Sequence, residues 1–193
     1  MTQDQKIAAL ELQVRRLQAE GLIRACVTRY MALCDRLDAA TPLDELAGLF
    51  TADATWEGRG ARYAGSFGGY RGREAIAAMF RTYMRTPPHF ALNVHFLCSE
   101  TIAVSADAAQ ADASWVMLQT STFASGESHL NAAQLTLKLR EENGIWRIAL
   151  FQTENLFSRP TGPWNDTAPL PVPAPAATAA DPVYLSGNAD QTS

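Results

Sequence analysis

Two stretches decide the reading: Leu49–Gly58, LFTADATWEG, and Gly72–Met84, GREAIAAMFRTYM. In the first, Ala54 to Glu57 predicts a short strand that stops at Gly58. Residues 58–72 hold six glycines and predict a loop. In the second, Ile76, Met79, Phe80 and Tyr83 recur at the three- and four-residue spacing of an amphipathic helix over 73–84. Thr86-Pro87-Pro88 ends it, because proline lacks the N–H a helix needs and clashes with the preceding turn.

Upstream, Ile7, Leu10, Val14 and Leu17 make one narrow apolar seam on a first helix, edged by Lys6, Glu11, Arg15, Arg16 and Glu20. Gly21 interrupts it. Leu22, Cys26, Val27, Tyr30, Met31, Cys34 and Leu37 then form the apolar side of a second helix. Thr41-Pro42 opens a third, with Thr41 as cap and Pro42 at the first helical position. Downstream, long strands are expected over 90–98, 100–104, 111–123, 129–140 and 145–157, with turns at 105–107, 124–126 and 141–144. Helices first and antiparallel strands afterwards argue α+β. A long, mostly antiparallel sheet wrapped around the N-terminal helices leaves a cone-shaped cavity.

The chain has 193 residues, of which 47% are hydrophobic, enough for one core rather than two. From Arg159 onward prolines alternate with alanine and small polar residues. The expected division is therefore a folded domain over 1–158 and an irregular Pro/Ala-rich tail over 159–193. The net charge of -4 comes from interspersed acids and bases, which argues against nucleic acid as a partner. Cys26, Cys34 and Cys98 are odd in number and far apart, unlike a disulfide framework or a zinc site. No apolar segment has the length of a signal peptide core or a membrane span, so a cytoplasmic protein without membrane contact is expected. The first-helix seam and an open sheet face need cover, which a homodimer or homotrimer supplies.

The order helix, helix, LFTADATWEG, glycine loop, GREAIAAMFRTYM, strands resembles the SnoaL-like branch of the nuclear transport factor 2-like superfamily. The resemblance implies that fold with a hydrophobic pocket. Within the branch the chain is most similar to cofactor-independent lyases of the bile acid 7α-dehydratase and scytalone dehydratase type. Tyr30 and Asp35 in RYMALCD, and His95 in VHFLCSETI, stand where the bile acid dehydratase pattern has a Tyr–Asp–His set. Gly58 stands where ketosteroid isomerase has its carboxylate base, and Asn155 lies near the position of a dehydratase arginine. The resemblance implies no cofactor and no metal.

The residue types suit proton abstraction. A histidine base needs a partner that fixes its tautomer, and a buried hydroxyl can donate to a developing oxyanion. The expectation is that His95 is the base, Asp35 orients it and Tyr30 binds a substrate oxygen. Each also has an ordinary reading, as a core tyrosine, a helix-end acid or a satisfied core histidine. Trp56, Tyr70, Phe80, Trp115 and Met117 are candidates for the apolar wall, with His129, Asn131 and Asn155 as polar candidates for substrate binding. Phe67, Tyr83, Phe90, Phe96 and Phe151 are further apolar possibilities. A ring-containing hydrophobic substrate fits this aromatic supply. Dehydration or another elimination is expected, with loss of formaldehyde from an aromatic compound as a related cleavage. A non-catalytic binding or assembly module, and an isomerase or cyclase of a ketosteroid or polyketide-like substrate, are the competing readings.

Overall fold

The computed structural model describes residues 1–63, 67–162 and Trp164. In chain order it contains α1 (Gln3–Asp35), α2 (Leu43–Gly48), β1 (Phe50–Arg59), α3 (Gly60–Tyr63), β2 (Gly69–Arg71), α4 (Arg73–Arg81), β3 (Phe90–Val104), β4 (Gln110–Phe123), β5 (Ser128–Glu142) and β6 (Ile145–Pro160). The strands make one sheet in the order β2-β1-β6-β5-β4-β3. Every pairing is antiparallel except β1 with β6. This is the expected α+β arrangement.

Several local expectations are corrected. The first two helices are one helix of 33 residues, running straight through Gly21. Glycine costs about 1 kcal/mol in a helix interior, too little to break one flanked by good helix formers. Glu20 and Arg24 also pair across it at 3.2 Å, an i,i+4 bridge. The start is fixed by a capping box: Gln5 N–H donates to Thr2 Oγ1 at 3.2 Å, and Thr2 N–H donates to Gln5 Oε1 at 2.8 Å. Thr41 does not cap α2, which begins one residue too late for it. Its hydroxyl instead donates to Arg36 O at 2.6 Å and accepts from Asp38 N–H at 2.9 Å, closing the turn after α1. α4 stops at Arg81, short of Met84. The strand expected at 54–57 is a ten-residue strand, because Phe50 to Arg59 find partners along β6 that no local pattern announces.

The two strands expected over 90–104 are one. Ser99 takes a φ of 50°, and the register shifts between Cys98 and Thr101, so the chain bulges there and the ladder resumes. β6 continues to Pro160, two residues past the expected domain end, by pairing Pro160 with His129. The expected irregular tail lies, from residue 165 on, outside the described residues.

Alternation along β5 shows how the sheet is held. Leu135, Leu137 and Leu139 are sealed at 0–1% exposure while Thr136 and Lys138 face solvent. Each buried leucine contributes roughly 1.5–3 kcal/mol. Ile23, Val27 and Tyr30 of α1, and Ile76 and Phe80 of α4, complete the core over that face. Phe96 points the other way and is about half exposed, so it is not a pocket residue.

Candidate active site

Between α1, α4 and the inner face of the sheet lies a cavity of about 160 Å³. Tyr30, Trp56, Phe80, Met117, Asn131 and His95 all line it. Asp35 does not. It stands behind His95, at the last residue of α1.

That position is locally unfavourable. A carboxylate at a helix C-terminus meets the negative end of the helix dipole, and no basic residue occupies the last turn of α1. Two hydrogen bonds offset the cost. Asp35 Oδ1 accepts from the backbone N–H of His95 at 3.0 Å and lies 2.6 Å from His95 Nδ1. A carboxylate only accepts, so Nδ1 carries the proton and Nε2 is the nitrogen with a free lone pair. The His95 side chain is only 10% exposed. The pair therefore supplies an oriented imidazole, with a counter-charge ready for the imidazolium.

Tyr30 is fully enclosed at the cavity floor, with its ring edge-on to Phe50 and Phe80. Its hydroxyl accepts from Trp56 Nε1–H at 3.0 Å. Burial, with Cys34 alongside, pushes the phenol well above its ordinary value, so Tyr30 stays protonated and keeps its O–H as a donor. Burial also raises the thiols of Cys26, to about 11, and Cys34, to about 12. Cys98 alone is exposed. A thiol reagent should accordingly titrate one cysteine in the native protein and all three after denaturation. Rapid native reaction of two or more would contradict the packing of α1 over the sheet.

A row of neutral amides faces the histidine, and sequence reasoning missed most of it. His95, Gln119 and Asn131 are successive cross-strand partners on β3, β4 and β5. Asn93 is 6% exposed, donates to Cys34 O at 3.1 Å, and accepts from Gln119 Nε2 and Ser121 Oγ at 2.8 Å each. Asn131 Nδ2 donates to the Tyr63 hydroxyl at 3.0 Å and to Gln119 Oε1 at 3.3 Å. Asn93 shares strand parity with His95, and Gln119 shares it with Met117, so alternation carried the signal for both. Tyr63 came from the glycine-rich segment, where no periodicity could have found it.

Four expected wall residues are elsewhere. Trp115 shares a face with Met117 but lies further along β4, 2% exposed beside Arg24 and Thr28 of α1. Tyr70 packs against Trp56 with ring centroids 6.1 Å apart, outside the wall. His129 lies beyond the rim, its Nδ1 at 3.3 Å from Ser158 Oγ and its ring against Phe123. Asn155 stands behind the wall, donating to Asn131 Oδ1 at 2.6 Å and to the Tyr63 hydroxyl at 3.2 Å. His89, near the start of β3, accepts at Nδ1 from Arg85 at 2.9 Å. Among the described residues, no three His, Cys, Asp or Glu side chains gather to hold a metal ion. Among them, too, no helix is long and apolar enough to cross a membrane.

Gly58 is tied to this geometry. A Cβ there would lie 2.9 Å from Tyr63 Cβ and 3.0 Å from Phe67 Cβ. A side chain at position 58 would therefore push Tyr63 and Phe67 from their places.

An α+β fold with a helix-capped, histidine-bearing cavity defines the class. The chain belongs to the SnoaL-like domain family, whose profile matches residues 15–152. Its fold is that of several solved structures. A hexachlorocyclohexane dehydrochlorinase, LinA type 3, from Novosphingobium barchaimii LL02 is 19% identical, with a TM-score of 0.65, over 81% of this chain and 99% of that one. A scytalone dehydratase candidate from Novosphingobium aromaticivorans DSM 12444 is 18% identical, with a TM-score of 0.63, over 81% and 99%. An NTF2-like protein with a cystatin-like fold from Novosphingobium aromaticivorans is 24% identical, with a TM-score of 0.59, over 76% and 88%. A comparison with curated protein sequences finds no match.

Proposed function

We propose that the chain is a cofactor-independent lyase acting on a small, uncharged, oxygenated ring compound. The observation that carries this is the Asp35–His95 pair on the wall of an apolar cavity. His95 Nε2 takes a proton from a ring carbon beside an electron-withdrawing group. The C–H electrons form a double bond as the neighbouring C–O bond breaks, and the imidazolium returns its proton to the departing hydroxyl. Water leaves, and His95 ends neutral. Asp35 holds the tautomer and balances the imidazolium between the two transfers. Tyr30 donates to the oxygen that gains charge. The eliminations named for LinA and the scytalone dehydratase candidate support this reaction class. Cleavage of a carbon–carbon bond with loss of formaldehyde uses the same groups and ranks second. Gly58 brings no carboxylate to the place where an isomerase carries its base, which speaks against that alternative.

Size and charge narrow the substrate. A dry engineered cavity of about 150 Å³ holds one benzene, and this cavity is of that order, about 160 Å³. One substituted ring is the size that fills it. Among the described residues no lysine or arginine lines the wall, which favours an uncharged ligand over a carboxylate or phosphate. The amide row suits hydroxyl and carbonyl groups. The same reading has the chain assembling with copies of itself.

The test is a panel of hydroxylated and oxo-substituted single-ring compounds, followed by ultraviolet absorbance for a conjugated product. Turnover of at least one is expected. Tight binding of such compounds with no turnover of any would leave a binding module and reject the lyase. For an active compound, Tyr30→Phe should lower kcat/KM on the order of 10²-fold, the usual scale for one oxyanion donor. It should also cost about 1–3 kcal/mol of stability, because Trp56 Nε1–H loses its acceptor in a buried site. Unchanged turnover would remove Tyr30 from the mechanism.

A further inference from the structure

The first half of α1 carries two apolar faces with different neighbours. Leu12 and Arg16 lie against Ile102 to Val104 of the chain's own β3, with Arg16 Nη2 donating to Val104 O at 2.9 Å. Ile7, Leu10, Val14 and Leu17 turn the other way and are 46, 61, 51 and 58% exposed. Each helical residue turns roughly 100°, so Leu12 sits about 140° round from Ile7. The seam is therefore not the face by which α1 docks on its own sheet. A contiguous exposed apolar strip on an ordered helix marks an interaction surface. The charges around it are mixed, Asp4, Glu11 and Glu20 with Lys6, Arg15 and Arg16. A helix lying on an anionic membrane carries a basic polar face instead.

We propose that residues 7–17 of α1 pair with the same residues of a second copy of this chain, in a short, parallel, in-register two-stranded coiled coil. The seam spacing of three, four and three places Ile7 and Val14 at a positions and Leu10 and Leu17 at d positions. β-Branched residues at a with leucine at d are the combination that favours parallel two-stranded coils. The flanking charges agree. In a parallel pair, Lys6 at g faces the partner's Glu11 at e, and symmetry makes this attraction twice. Gln13 faces the partner's Gln18, which is neutral. An antiparallel pair would set Glu11 against the partner's Glu11. It would also call on Glu20, which is already paired with Arg24 at 3.2 Å. Gly21 and Arg24 fall at the next a and d positions and end the seam.

The experiment uses the full chain in sedimentation velocity at micromolar concentration, where a dimer is expected. A monomer or a trimer would overturn the proposal. Leu10→Glu with Val14→Glu should give a monomer with unchanged circular dichroism, since both side chains are exposed. A persisting dimer would overturn it. Lys6→Glu and Glu11→Lys should each weaken the dimer roughly threefold to tenfold, and the two together should restore it. Failure of restoration would reject the parallel register. Leu10→Cys, in a Cys98→Ser background that removes the one exposed native thiol, should form a disulfide between copies on mild oxidation. A parallel coil places the two d residues side by side, whereas an antiparallel one would leave this variant uncrosslinked and refute the arrangement.

Discussion

Replacing His95 by glutamine should abolish turnover of any substrate found, by at least 10³-fold in kcat/KM. A positioned general base alone contributes about 10²–10⁴-fold. Glutamine keeps the size and some of the hydrogen bonding of the ring, so the fold should survive. It has no lone pair of comparable basicity to take the proton. Asp35→Asn is the companion variant. Asparagine can still accept from the His95 backbone N–H that Asp35 holds at 3.0 Å, but it brings no charge to the imidazolium. Its amide can also present a donor to Nδ1 and favour the wrong tautomer. A fall on the order of 10²–10⁴-fold is expected, the scale seen when an orienting carboxylate behind a histidine is neutralised. The loss should lie in kcat rather than KM, because neither change touches the apolar wall that holds the ring. Steady-state kinetics with circular dichroism as a folding control decides it. Activity within a few-fold of the unsubstituted protein in His95→Gln would reject His95 as the base.

Phe50→Ala should cost roughly 4 kcal/mol of stability and lower Tm by about 12 °C. Phe50 is fully buried, and its ring meets the ring of Tyr30 edge-on at 5.6 Å. Its carbonyl accepts from Arg73 Nε and Nη2 at 2.9 and 2.6 Å, tying the start of α4 to the start of β1. Those backbone bonds survive the substitution, so the cost is that of a cavity beneath Tyr30 and not of a broken network. Because the void opens under the cavity floor, ring compounds larger than the natural substrate should bind better to the variant. Thermal denaturation and a ligand-size series measure the two effects. A Tm change under about 3 °C would mean that the site collapses readily and that the floor is not rigid.

These two variants sit on opposite sides of what the chain's linear pattern could disclose. Periodicity was enough for the helical character of α1 and α4 and for the five-residue separation of Tyr30 and Asp35. These are short-range consequences of a 3.6-residue helix. The resemblance to a Tyr–Asp–His set named the three residues whose placement mattered most.

Where a side chain stands along its strand was not legible. Trp115 and Met117 share a face, yet Met117 meets the cavity and Trp115 is sealed beside α1. Parity gives the face, but only the height at which the helix crosses the sheet gives the neighbour. The merging of two helices across Gly21, and of two strands across Ser99, followed from the same cause. A local break costs about 1 kcal/mol, and packing over a whole element outweighs it. The sequence by itself determined the fold class, the apolar faces and the residue types available for proton transfer. Only the tertiary structure decided that Asp35 Oδ1 meets His95 Nδ1 at 2.6 Å, and that Gln119 and Asn131 stand in line with that histidine. Those contacts join residues 12 to 60 positions apart, and contacts of that span are set by strand register and helix crossing, which no short window of sequence encodes.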